Sequence, residues 1–195
     1  DVILVDKNFK YSHIYTYSLV EDTVTKITKG NFSVNSYDYS PEGNKIVFSH
    51  QDDTNINTGF VNSDISVIES DGSNLKRLIK RPGIDSSPIF SGDKNKFAFI
   101  SSGGKQESIG LRDVYIFNLK DNSIKKLSNT PNRDSNIISW SSDNKTLIIT
   151  ENVKTTSQLI LLPVNGDNYI SWSGEKYKEG VISVSYTHLR AHETR

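Results

Sequence analysis

Within residues 1–183 nearly all the positive charge is lysine, and the exceptions are Arg77, Arg81, Arg112 and Arg133. A guanidinium presents a planar fork of donors that suits bidentate capture of a carboxylate, such as a peptide terminus. Arg81, Arg112 and Arg133 fall on or beside loops that the strand pattern places on one face, and they are the candidate substrate-facing residues. The competing reading is local pairing, Arg81 with Asp85 and Arg133 with Asp134 or a neighbouring repeat. Ion pairs of that kind are common in loops and individually weak.

Other catalytic chemistry finds little support. The chain has no Gly-x-Ser-x-Gly elbow, and with only His13 and His50 before the last dozen residues no Ser-His-Asp set can be argued. His13 reads as a strand-edge polar residue, and His50 as a solvated or backbone-bonded one. Zero cysteine excludes disulfides, thiol nucleophiles and thiolate metal sites. Asp53, Asn55 and Asn57 alternate as calcium ligands do. A calcium loop counted from Asp53 would need Gly and Glu where Thr58 and Asp64 stand, so an ordinary Asn/Asp turn is the better reading. Gly103-Gly104-Lys105 lacks the spacing of a phosphate loop. No catalytic residue, metal or cofactor is expected.

The elements that position these residues come from a repeat. Tyr39-Ser-Pro-Glu-Gly-Asn-Lys-Ile-Val-Phe-Ser49, Phe90-Ser-Gly-Asp-Lys-Asn-Lys-Phe-Ala-Phe-Ile100 and Trp140-Ser-Ser-Asp-Asn-Lys-Thr-Leu-Ile-Ile-Thr150 are offset by 51 and 50 residues. Each is an aromatic residue with Ser, a polar turn, then an apolar strand. Third strands follow at 64–68, 113–117 and 158–162, and fourth strands at 74–78, 123–127 and 168–172. Short alternating runs divided by turn residues predict antiparallel strands. A fixed period with four strands per unit predicts an all-β fold, a partial β-propeller of four-stranded antiparallel blades. Tyr39, Phe90 and Trp140 are expected to pack between blades.

The expected blades are a partial one over about 1–33, then 34–82, 83–132 and 133–179, with 180–183 opening another. In such a blade the first-to-second and third-to-fourth turns share one face, and here they are short. The opposite face carries the longer segments 50–63, 80–85, 101–112 and 129–134. Binding residues concentrate on loops held by a rigid scaffold, which makes this the working face.

Lys plus Arg equals Asp plus Glu at 23 each, so no net field draws nucleic acid or anionic lipid. No apolar run is long enough to cross a bilayer as a helix. Neither nucleic acid nor membrane is an expected partner. The chain lacks methionine, and its beginning is read as processed or cut. Residues 184–194 resemble a translated sequencing-library adapter, so 184–195 are read as a non-native tail. A propeller needs about four to eight blades to close. Three whole blades between two broken ones therefore predict a piece of a longer protein.

The opening phrases resemble the TolB-type relatives of WD repeats, whose consensus runs aromatic-Ser-Pro-Asp-Gly-x-x-aliphatic-aromatic. Residues 39–48 fit well. The second copy has Gly92 for Pro and Lys94 for Gly, and the third has Ser142 for Pro and Asn144 for Gly. Gly30-Asn-Phe-Ser-Val-Asn-Ser-Tyr-Asp-Tyr-Ser-Pro41, Asn62-Ser-Asp-Ile-Ser-Val67, Arg81-Pro-Gly-Ile-Asp-Ser-Ser-Pro88 and Ser135-Asn-Ile-Ile-Ser-Trp140 extend the likeness. Residues 1–183 are similar to the N-terminal propeller of prolyl-oligopeptidase-family serine peptidases, most of all bacterial dipeptidyl-peptidase-like members. The resemblance implies a non-catalytic propeller that gates and orients peptides for a C-terminal hydrolase domain absent from this chain. It leaves open a TolB-like protein-interaction module, and it favours a periplasmic or secreted setting over the cytoplasm.

Overall fold

The computed structural model describes residues 10–173. The strand expected at 2–5, the blade start at 180–183 and the adapter-like tail lie outside the described residues.

Three antiparallel four-stranded sheets follow one another along the chain. The first holds β3 (Ser33–Tyr39), β4 (Lys45–Gln51), β5 (Asp64–Glu69) and β6 (Lys76–Ile79). The second holds β7 (Asp85–Phe90), β8 (Lys96–Ser101), β9 (Asp113–Asn118) and β10 (Ile124–Lys126). The third holds β11 (Asn136–Trp140), β12 (Thr146–Val153), β13 (Thr156–Pro163) and β14 (Ile170–Ser171). A two-stranded sheet, β1 (Tyr15–Ser18) with β2 (Thr23–Lys26), precedes them.

The repeated phrase builds the same turn three times. Ser40, Ser91 and Ser141 each donate their backbone N–H to the carbonyl five residues on, at 2.9, 2.9 and 2.8 Å. Their hydroxyls accept the N–H of Lys45, Lys96 and Thr146 at 3.0, 3.2 and 3.0 Å. The third turn residue is left-handed in every copy, with φ of 71° at Gly43, 62° at Lys94 and 57° at Asn144. Glycine reaches that region without a Cβ penalty. The Lys and Asn copies therefore depart from the consensus residue while keeping its backbone.

β4 and β8 are buried on both faces because their sheets have a packed neighbour on each side, whereas burial along β12 alternates. Val47 and Ile65 of the first sheet meet Phe90, Phe97, Phe99 and Phe117 of the second. Ala98, Ile100, Val114 and Ile116, on the other face of that sheet, meet Leu147, Ile149, Ile160 and Leu162 of the third. Phe48 and Ile46 turn back onto Ile14, Ile27 and Phe32. A strand with two buried faces reads as a continuous apolar run rather than an alternation, as Ile46-Val-Phe48 and Phe97-Ala-Phe-Ile100 do.

Hydrogen bonds between repeat-related positions add to these layers. Ser87 N–H donates to Ser36 Oγ at 3.1 Å, Phe90 N–H to Asp38 Oδ2 at 2.8 Å, and Trp140 Nε1–H to Ile89 O at 3.0 Å. Phe90 is buried between sheets as expected, whereas Tyr39 is 39% exposed and meets Tyr37 edge-on at 6.3 Å. Phe90 packs on Val47, Ile65 and Ile79 of the first sheet.

Two further details depart from the sequence reading. The 50–63 loop contains one helical turn, α1 (Ile56–Gly59). In the third sheet the second strand runs past Thr150 and the third begins before the expected residue 158. β12 and β13 pair through eight residues to Val153 and Thr156, with Lys154 at φ 56° in the turn.

Candidate functional site

The long-loop face brings the arginines into distinct situations. Arg81 lies across Asp85, with Nε and Nη2 donating to its two oxygens at 3.0 and 2.8 Å, and Nη2 also reaches Ser101 Oγ at 2.8 Å. Its guanidinium stands 5.4 Å from the Tyr115 ring centroid. The Asp85 side chain is 1% exposed, so this fork neutralises a carboxylate that has left water. Arg133 donates to both Asp113 oxygens at 2.7 Å, and Lys126 Nζ joins the same carboxylate at 2.8 Å. Burial works against the charged form of Asp113. Hydrogen bonds from Arg133 and Lys126 outweigh it and hold that carboxyl below the usual range.

The local pairing weighed for Arg81 is therefore present, and of the two partners weighed for Arg133 it takes the one in the neighbouring repeat, Asp113, rather than Asp134. The reason is backbone geometry. Arg112 N–H donates to Arg133 O at 2.7 Å, which lays the 129–134 link beside the start of β9, where Asp113 sits. Arg133 itself is left-handed at φ 53°, turning its side chain over that strand.

Arg112 differs from both. Its half-buried side chain has no carboxylate partner among the described residues. It lines a cleft of about 290 Å³ with Ser108, Ile109, Gly110, Leu111, Asn132, Arg133 and Asp134. Ile109 and Leu111 are 95% and 54% exposed there. The three candidate arginines thus share a face, and Arg112 and Arg133 line one cleft.

Arg77, on β6, binds Asp52 through two bonds of 3.0 and 2.5 Å and reaches Asp64 at 3.1 Å. One guanidinium does not serve both carboxylates equally. The Arg77 bonds hold Asp52 below its ordinary pKa, whereas burial raises Asp64 despite Arg77. Beside them His50 is 2% exposed rather than solvated. Its Nε2 shares a 2.8 Å hydrogen bond with Ser66 Oγ, and its Nδ1 stands 3.5 Å from Asp52 Oδ1. Burial first, and then the Arg77 charge, push its pKa down to about 4.

Ser66, His50 and Asp52 thus form a row that the sequence spacing did not suggest. It lacks what acyl transfer needs. Ser66 is 2% exposed in mid-strand, and Asp52 is turned to Arg77 instead of orienting the imidazole. The row ties together the second, third and fourth strands of the first sheet.

Position 50 has counterparts at Ser101 and Glu151, and all three residues are 2% exposed or less. Ser101 accepts from Arg81. Glu151 takes four hydrogen bonds, from Thr130 Oγ1 at 2.5 Å, Asn132 N at 2.9 Å, Asp134 N at 3.1 Å and Ser135 Oγ at 3.1 Å. This socket, where a second strand meets a link, escaped sequence reasoning because three unlike residues fill it. The shared offset from the aromatic-Ser phrase was the one available signal.

The oxygens of the calcium-like loop serve their own turn. Asp53 Oδ1 accepts Asn55 N–H and Asn55 Oδ1 accepts Asn57 N–H, each at 2.9 Å, while Thr58 Oγ1 donates to Asp53 Oδ2.

No family model matches the chain. Its architecture overlays TolB from Acinetobacter baumannii with a TM-score of 0.63 at 19% identity, covering 83% of this chain and 37% of that one. These sheets are propeller blades. The propeller also overlays dipeptidyl peptidase 4 from Porphyromonas gingivalis with a TM-score of 0.56 at 12% identity, covering 82% of this chain and 28% of that one. In sequence it is similar to dipeptidyl-peptidase 5 of Arthroderma otae, 26% identical over 162 residues, which is 77% of this chain and 22% of that protein. The protein of the same name from Trichophyton equinum is 25% identical over 140 residues, 66% of this chain and 19% of its own length. The chain therefore spans about a fifth of the length of these curated relatives. The likeness read from the repeat phrase, to the propeller of dipeptidyl-peptidase-like peptidases, is met in sequence and in fold.

Proposed function

We propose that these blades gate and orient peptide substrates for a hydrolase domain carried elsewhere in the full-length protein. The sequence similarity to dipeptidyl-peptidase 5, at 26% identity over 162 residues, is the observation that carries the reading. The division of the propeller into a short-turn face and a long-loop face supports it, because peptide-binding groups belong on the latter. Arg81, Arg112 and Arg133 are the substrate-facing residues in this proposal. Arg112 offers a guanidinium fork toward the cleft, while Arg81 and Arg133 shape the face through Asp85 and Asp113. The partners are the hydrolase domain and a peptide, in a periplasmic or secreted setting.

Replacing each of the three with Ala in the full-length enzyme and measuring KM for short peptides tests the assignment. The expected outcome is a raised KM, largest for Arg112→Ala. An unchanged KM in all three variants removes these residues from substrate handling.

The TM-score of 0.63 to TolB favours a second reading, a propeller acting only as a protein-interaction module. A Gly-x-Ser-x-Gly elbow in the complete reading frame decides between them, because only a hydrolase needs one.

A further inference from the structure

Of the four arginines in residues 10–173, three are answered by carboxylates. Arg77 has Asp52 and Asp64, Arg81 has Asp85, and Arg133 has Asp113. Arg112 is the exception among the described residues, and it lines the cleft between the 101–112 and 129–134 segments. We infer that this cleft captures a peptide carboxylate lying next to an apolar side chain.

Three features converge on that ligand. A guanidinium without an internal partner offers parallel N–H donors that match a carboxylate in plane and spacing. Ile109 and Leu111, on the same loop, are 95% and 54% exposed and so provide a seat for an aliphatic neighbour. The lining carries two guanidiniums against one carboxylate, Asp134. Arg133 directs its fork at Asp113, yet that carboxylate is shared with Lys126, so the pairing does not cancel the positive charge. Lys105 and Glu107 on the same loop offset one another. At about 290 Å³ the cleft has room for a residue or two of an extended peptide, not for a folded partner.

The inference rests on the peptide-orienting reading for its biological meaning, and its test is independent of turnover. N-acetyl-leucine, N-acetyl-leucinamide and N-acetyl-Leu-Glu-amide are titrated into the full-length protein, with binding read by calorimetry. At least one of the two acids should bind roughly ten- to a hundredfold more tightly than leucinamide, as a charge-assisted pair requires. The better of the two tells a terminal carboxylate from a side-chain one. Arg112→Gln should erase the preference. Ile109→Ser, at a position 95% exposed and therefore tolerant, should weaken all three ligands alike. Equal binding of acids and amide, or a preference that survives Arg112→Gln, overturns the inference. The gating reading fails separately, by an unchanged KM in variants that have lost the carboxylate preference.

Discussion

Acid should loosen this propeller at His50, and the size of the effect follows from its surroundings. The imidazole is 2% exposed, tilted against Phe32 and Phe48 with centroids at 5.0 and 5.5 Å, and its pKa falls from 6.5 to about 4. In the unfolded chain the ring takes a proton near pH 6.5, whereas in the folded chain it resists until about pH 4. Between those values the unfolded state binds more protons, so stability falls as pH falls. The loss by pH 4.5 is about 2 to 3 kcal/mol relative to neutral pH, and it levels off once the folded-state imidazole also takes its proton. Asp38 and Asp64, whose pKa values burial raises, act in the opposite sense. A variant comparison cancels them. His50→Gln retains an amide nitrogen where Nε2 meets Ser66 but does not titrate. Urea unfolding followed by tryptophan fluorescence at pH 7.5 and 4.5 should show the wild type losing about 2 to 3 kcal/mol more than the variant. Equal losses, or a His50 pKa of 6 or above in an NMR titration of the folded protein, would refute the reasoning.

The remaining expectations concern turns and buried charges. Gly43→Ala should cost about 1 kcal/mol in urea unfolding even though a Cβ there meets nothing within 4 Å, because the cost lies in φ 71° alone. Glu151→Gln should cost about 2 kcal/mol in the same measurement. Each Glu151 oxygen accepts a backbone N–H, so an amide NH2 meets a donor in either orientation. Arg81→Ala should destabilise by about 3 kcal/mol, since it strands Asp85 in the interior. Arg133→Ala should cost about 1 kcal/mol or less, because its side chain is 31% exposed and Lys126 stays on Asp113. Near-equal losses for the two arginines would contradict the assigned burial.

The fold was legible in the sequence because its information is local and repeated. Ser40, Ser91 and Ser141 close one turn with one set of bonds, and second strands buried on both faces announce themselves as apolar runs. Strand ends were less legible. The β12–β13 hairpin extends to Val153 because Lys154 accepts a left-handed turn, which composition does not reveal. The site was legible only in part. The Arg81–Asp85 pair, four residues apart, could be read from spacing, whereas the choice of Asp113 for Arg133 depends on where the link crosses the strand, a tertiary fact. His50 was misplaced for the same reason. A histidine opening a polar loop looks solvated until Phe32, from the preceding link, closes over it.

The joints between sheets carry a consequence for exchange and shuffling of blades. Asp38 supplies the acceptor for Phe90 N–H, while the next joint is made by the Trp140 indole reaching Ile89 O. The repeat-equivalent residues differ, so each blade is keyed to its neighbour by its own chemistry. A blade moved to another place in the ring would keep its strands and turns yet present the wrong donor or acceptor at the seam. The repeated turn gives these units a common body, and the seams give each one an address.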